Sequence, residues 1–263
     1  MSDDPHTNKV LTVFLAVMAA LVLLGWFASG AKASTPLVWQ DGFNGPVGPP
    51  PHWTARDGTN CGAKTPTSND PANVALDGHG HLVLTGDAGG IGVQLDTQGH
   101  FSVTHGTIEA RMWVPAGDGL CSAFWMVGDN GDWPHSGEID ILELLGNLPN
   151  TAIFTLHGPT NVPWEQGNYQ QYETSKALSN LTTGYHTYAV TWTTTGFAWS
   201  VDGVVYARES RTALVKANGP GSWVFGKPFH LILNLEVGNW QEGPDATTPL
   251  PAHMLVDWIK VYR

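Results

Sequence analysis

The sequence predicts an all-β domain, a sandwich or jelly roll. Short β-prone runs recur at regular spacing, broken by Gly, Pro, Asn and Asp. Helical periodicity is almost absent, and only Arg211 to Ala217 reads as one short helix. Between Val201 and Val204 stands Asp202-Gly203, a strong hairpin signal.

Each segment follows in order. The chain has 263 residues, enough for one such domain. Lys9, the apolar run Val10 to Ala28 and the small residues Ala31 and Ala33 read as an export signal over 1–33, cut after Ala33. That run is long for a signal and approaches membrane-spanning length, so an uncleaved anchor is the alternative. On either reading, residues 34–263 form one exported (secreted or extracytoplasmic) domain, in contact with a membrane only if the anchor stays. Gly45 to Asn73, rich in Pro, Gly, Asn and Thr, reads as a long surface loop. Strand candidates are His81-Leu84, Gly106-Val114, Ala123-Val127, Glu138-Leu144, Thr151-Leu156, His186-Thr193, Phe197-Val201, Phe229-Val237 and Met254-Tyr262.

Composition narrows the partners. The net charge is −11 and the isoelectric point about 5.3, which argues against nucleic acid, because phosphate binding needs Lys and Arg. Neutral polymers are compatible with this charge. Twelve Trp exceed what a core of this size needs, and flat aromatic faces suit sugar rings. Cys61 and Cys121 in an exported chain favour a disulfide worth roughly 4 kcal/mol in the chain-entropy model. Two unpaired buried thiols are the alternative. Neither a CxxC pair nor a Cys/His cluster supports zinc or redox chemistry.

The run Glu138-Ile139-Asp140-Ile141-Leu142-Glu143 carries the chemistry. In a strand, alternate side chains share a face, so Glu138 and Asp140 lie together and the isoleucines face the core. On a regular strand Glu143 would point with the isoleucines, where an unpaired carboxylate is costly. One extra residue, a β-bulge around Ile141-Leu142, returns it to the face of Glu138. Three acids on one face repel, which raises the pKa of at least one. One ionised carboxylate and one protonated acid are what nucleophilic and acid work on a glycosidic bond require, at roughly 5–5.5 Å for retention. Alternating acid and isoleucine also describes any solvated amphipathic strand, and pattern alone leaves both readings open.

The surrounding blocks decide between them. Gly137 to Glu143 resembles the ExDxxE signature of glycoside hydrolase family 16, in its laminarinase-like branch. His105 to Arg111, Ala123-Phe124-Trp125-Met126, Trp133-Pro134, Leu156-His157-Gly158-Pro159 and His186 to Trp192 resemble the family's blocks in order. So do Phe229 to Leu235, Gly238-Asn239-Trp240, Pro244 to Thr248 and Val256 to Tyr262. The likeness runs from about Leu37 to Arg263.

The resemblance implies a jelly-roll sandwich of two antiparallel sheets with a concave substrate cleft, and endo-cleavage of β-1,3-glucan with retention. It implies Glu138 as nucleophile, Asp140 as its partner and Glu143 as acid/base. Asn44, Arg111, Trp125, Trp133, His157, Asn239 and Trp240 match positions lining sugar subsites. Catalysis needs no cofactor. A structural Ca²⁺ on the convex side would take Asp257, the Gly80 carbonyl and Asp41. The expected state is a monomer acting on β-glucan. The departures surround the subsites: Gly119-Leu120-Cys121-Ser122 replaces a segment with an aromatic, Thr160-Asn161-Val162 replaces a Tyr-Ser-Gly, and Glu236 stands where a small residue is usual. A transglycosylase, a hydrolase of mixed-linkage or agar-type polymers, and a non-catalytic glucan-binding module are the alternatives.

Overall fold

The computed structural model describes residues 35–59, 66–162, 169–238 and 243–263. The expected export segment, Cys61, Asn239 and Trp240 lie outside them. Leu37–Arg263 is one unit. Its first strands are β1 (Leu37–Asp41), β2 (Thr54–Arg56), β3 (Gly58–Thr59), β4 (Pro66–Thr67), β5 (Val74–Leu76), β6 (Leu82–Gly86) and β7 (Val93–Asp96). The middle strands are β8 (Gly106–Trp113), β9 (Leu120–Gly128), β10 (Glu138–Leu145), β11 (Thr151–His157) and β12 (Gln170–Ala177). Then come β13 (His186–Thr193), β14 (Gly196–Val201), β15 (Val204–Ser210), helix α1 (Arg211–Asn218), β16 (Phe229–Val237) and β17 (Ala252–Tyr262).

Two antiparallel sheets stack face to face. The cleft sheet runs β12-β11-β10-β9-β16-β7-β2. The back sheet runs β15-β14-β13-β8-β17-β6-β5, with β1 added beside β17. Strand parity builds the core between them. On β16, Phe229, Leu231, Leu233, Leu235 and Val237 enter the core, and Ile232 joins a separate apolar cluster on the cleft face. On β8, Ile108, Ala110 and Met112 do the same from the back sheet. Both sheets thus have one apolar face, as a two-layer β domain requires.

The local signals work as their chemistry dictates. Asp202 and Gly203 both take positive φ, at 50° and 77°, the geometry of a type I′ hairpin turn between β14 and β15. Ser210 caps α1 by accepting a hydrogen bond from the Ala213 N–H. The expected loop over Gly45 to Asn73 is only partly loop: β2 pairs with β7 there, and Trp53 is buried. Strand β12 is absent from the sequence reading, because Gln170–Ala177 is polar and alternates no apolar face; its pairing with β11 makes it a strand.

The expected bulge is present. Opposite β9, Asp140 faces Trp125 and Leu142 faces Phe124, so Ile141 is the extra residue. The ladder to β11 shifts over the same stretch, from Asp140 to Glu143. Ile139, Ile141 and Leu142 all enter the core. A bulge disrupts the ladder where it sits. Trp199, fully buried on β14 of the opposite sheet, donates its indole N–H to the Asp140 carbonyl at 2.8 Å. Trp199 is itself held between Phe154, Tyr172 and Phe197.

Replacing Trp199 with Phe keeps a ring but removes that donor. The buried carbonyl then lacks this partner, and stability in urea denaturation is expected to fall by about 1–3 kcal/mol. An unchanged unfolding midpoint would show that the bulge does not depend on Trp199.

Candidate active site

Strand β10 places Glu138, Asp140 and Glu143 on one face. Across the ladders, Glu138 lies opposite His157 on β11 and Val127 on β9. Asp140 lies opposite Thr155 and Trp125, and Glu143 opposite Ile153 and Ala123. The acids therefore project from one face of the cleft sheet, beside side chains of β11 and β9.

The two glutamates have different partners. Glu138 Oε2 accepts the Trp133 indole N–H at 2.6 Å, and its Oε1 lies 3.9 Å from His157 Nε2. Glu143 Oε2 accepts the Thr155 hydroxyl at 3.0 Å. Asp140 sits between them, buried, with Oδ2 at 3.3 Å from His157 Nε2. Burial is the main influence on all three acids. It lifts Glu138 to about 8 with help from the Asp140 charge, while His157 and the Trp133 N–H pull it back. Asp140 rises well above the carboxylate range through burial and the Glu143 charge. Glu143 is raised by burial and by Glu173, against His157 and the Thr155 hydroxyl. At neutral pH the cluster holds more protons than three exposed carboxyls would. Its protons are shared, so titration belongs to the set.

The three acids open onto one small cavity of about 50 Å³. Cys121, Ala123, Trp125, the three acids, Asn234 and Glu236 line it. Trp125, 6% exposed, is fixed by donating its N–H to Asn234 Oδ1 at 2.7 Å. Trp133, 38% exposed, stands at the rim with its edge against Tyr169. A row of acids with aromatic walls and a hydroxyl-bearing neighbour is suited to transferring protons around a sugar.

The sequence pattern of glycosyl hydrolases family 16 matches residues 62–260. The chain belongs to that family. It is 32% identical to glucan endo-1,3-beta-glucosidase of Cryptopygus antarcticus, over 82% of this chain and 85% of that protein. It is 28% identical to glucan endo-1,3-beta-glucosidase A1 of Niallia circulans, over 92% of this chain but 40% of the relative. Its match to the beta-glucanase of Rhodothermus marinus, 33% identical, covers 65% of this chain and 61% of that protein. It thus spans less than two thirds of those last two relatives. Among solved structures, the laminarinase catalytic domain from Thermotoga maritima MSB8 superposes with a TM-score of 0.75 at 29% identity, covering 87% of this chain and 98% of that one.

Within this family member, the structure gathers some expected site residues and separates others. Trp125, Trp133 and His157 stand around the acids. Arg111 does not. It lies on β8 of the back sheet, where the inward positions Ala110 and Met112 turn it outward. There it pairs with Asp257 and stacks over Tyr185 at 4.5 Å. Asn44 is also elsewhere, in a pocket with Asp41, Gly80 and Asp257. Asn239 and Trp240 lie outside the described residues.

The expected calcium set, Asp257, Gly80 and Asp41, does come together in that second pocket. The donors fit an ion poorly. Arg111 already sits against Asp257, and Asp41 uses both oxygens to accept the Phe43 N–H and the Trp53 indole N–H. Ca²⁺ needs six to eight oxygens, with carboxylates turned to it. In the cleft, Glu138, Asp140 and His157 bring one ligand atom each within 4.8 Å of one another. Acid–imidazole pairing accounts for that convergence.

The expected Cys61–Cys121 bridge is not seen. Cys121 is a free, buried thiol on the cleft floor, and Cys61 lies outside the described residues. The Cys121 thiol is pushed up by burial and by Glu236, Glu143 and Asp140, so it stays protonated. Sequence reasoning misses Thr155 and Asn234 and has Glu236 only as a departure around the subsites. Parity on β16 could have placed the last two, since His230, Ile232, Asn234 and Glu236 alternate against a wholly apolar set.

Replacing Trp133 with Phe retains the rim ring and deletes the donor to Glu138. The ionised form of Glu138 loses a stabilising bond, so its pKa rises further. The acidic limb of the kcat/KM against pH profile is expected to move to higher pH, with activity reduced about tenfold at the old optimum.

Proposed function

We propose that this chain is a retaining endo-hydrolase of β-1,3-glucan, needing no cofactor for the bond cleavage. The observation that carries this is the Ile141 bulge, which sets Glu143 on the face of Glu138 and leaves the two with different partners. Glu138, whose ionised form is favoured by the Trp133 N–H, attacks the anomeric carbon as the carboxylate. Glu143 keeps its proton by burial and delivers it to the leaving oxygen. Asp140, still protonated, lies beside Glu138 and spares it a second adjacent charge. Glu143 then removes a proton from water, which releases the sugar from Glu138 with its configuration kept. The endo-1,3-beta-glucosidase names of the relatives support β-1,3-glucan as the polymer. Export of the chain, whether by a cleaved segment over residues 1–33 or by an anchor there, belongs to the same reading.

Glu138→Gln is expected to lower kcat on laminarin on the order of 10³-fold or more while leaving the unfolding transition in place. Proton NMR during wild-type hydrolysis is expected to show the β-anomer of the new reducing end first. An α-anomer appearing first would exclude retention.

His157→Gln removes a group that lowers both Glu138 and Glu143. Both carboxyls then titrate at higher pH, so the whole bell of kcat/KM is expected to shift upward, as a pH series from 4 to 10 would record.

A further inference from the structure

Glu236 is a fourth carboxyl on the cleft floor that the double-displacement chemistry does not use. It is 6% exposed, lies on β16 opposite Cys121, and helps line the cavity beside Glu143. Its position is set from below. Trp125 donates to Asn234 Oδ1, so the Asn234 amide must turn its Nδ2 outward, and that group approaches Glu236 Oε1 at 3.5 Å. A buried polar chain of this kind is costly unless it is satisfied.

We propose that Glu236 is a specificity-determining residue that hydrogen-bonds a hydroxyl of the glycan unit bound next to Glu143. This rests on the reading of the chain as a β-glucan hydrolase. Glu236 lines the same cavity of about 50 Å³ as Glu138, Asp140 and Glu143, so a glycan unit that reaches the acids brings its hydroxyls to Glu236.

Charge decides how the carboxyl binds. Among the described residues, the titratable groups facing Glu236 are the Cys121 thiol from β9 and the Glu143 carboxyl from β10. On the other side β7 offers the uncharged Gln94, opposite Asn234. Burial and the Glu143 charge lift Glu236 to about 8. Below that pH it is a neutral carboxylic acid. Such a group gives one hydrogen bond and accepts others, whereas a carboxylate only accepts. Ionisation removes the donor and places a second charge beside Glu143.

The test is KM and kcat against pH, from 5 to 9.5, for wild type, Glu236→Gln and Glu236→Leu. Laminarin, mixed-linkage glucan and agarose form the panel, and the polymer wild type cleaves best is the substrate. Glutamine is a permanently neutral donor and acceptor of the same shape. Its KM is expected to stay within twofold of wild type below pH 8, without the rise that wild type shows above it. Leucine is expected to raise KM roughly 3- to 10-fold at pH 6, the loss of one neutral hydrogen bond. A wild-type KM for the leucine variant at pH 6 would overturn the proposal. So would an alkaline KM rise retained by the glutamine variant, which decides the matter alone if the leucine variant does not fold. A wild-type preference for another polymer in the panel would count against β-1,3-glucan as substrate, and the Glu236 comparison would run unchanged on that polymer.

Discussion

The active face depends on one hydrogen bond made across the core. The Ile141 bulge puts Glu143 beside Asp140 and Glu138, and it interrupts the ladder at the Asp140 carbonyl. That carbonyl is answered by an indole N–H from the opposite sheet. Trp199 is anchored by aromatic neighbours from both sheets, so the packing of the sandwich and the aim of the acid/base are linked. A strand of regular pitch would bury Glu143 among isoleucines and leucines, at the cost of an unpaired charge.

Burial of the acids is unfavourable on its own terms, and the core offsets it. One face of β10 adds Ile139, Ile141, Leu142 and Leu144 to the apolar interior. The other face carries the three carboxyls. The same low-polarity surroundings that strain the cluster hold protons on it at neutral pH. Partners then break the symmetry. Trp133 reaches Glu138 from a loop, Thr155 reaches Glu143 from β11, and His157 lies closest to Asp140. The site gains its division of labour from what surrounds each acid, since two of the three are the same amino acid.

The opposite sheet shows how far a matching position can mislead. Arg111 and Asn44 occupy positions that resemble subsite residues, yet both stand by Asp257, away from the cleft. Arg111 follows from parity alone: Ile108, Ala110 and Met112 are the inward positions of β8, so 111 must face out. Parity says nothing of which sheet β8 joins, and its pairing with β13 and β17 settles that. Glu236 is the converse case. It reads as a departure within an apolar strand, and it becomes part of the site only because β16 lies beside β9.

The sequence by itself determined the local rules. Alternation marks β8, β14 and β16, Asp202-Gly203 closes a hairpin, and the spacing from Asp140 to Glu143 demands an extra residue. These follow from backbone geometry and from the cost of burying charge, which act over a few residues. The tertiary structure decided which strands are neighbours, and with that the company each acid keeps. The Trp199 bond to Asp140, the placing of Cys121 and Glu236 around one cavity, and the pairing of Arg111 with Asp257 each join residues far apart in the chain. Pairing across a sheet depends on backbone hydrogen bonds and shared burial, which no local pattern records. The carboxylate strand was therefore legible from its residues, while its environment had to be folded into place.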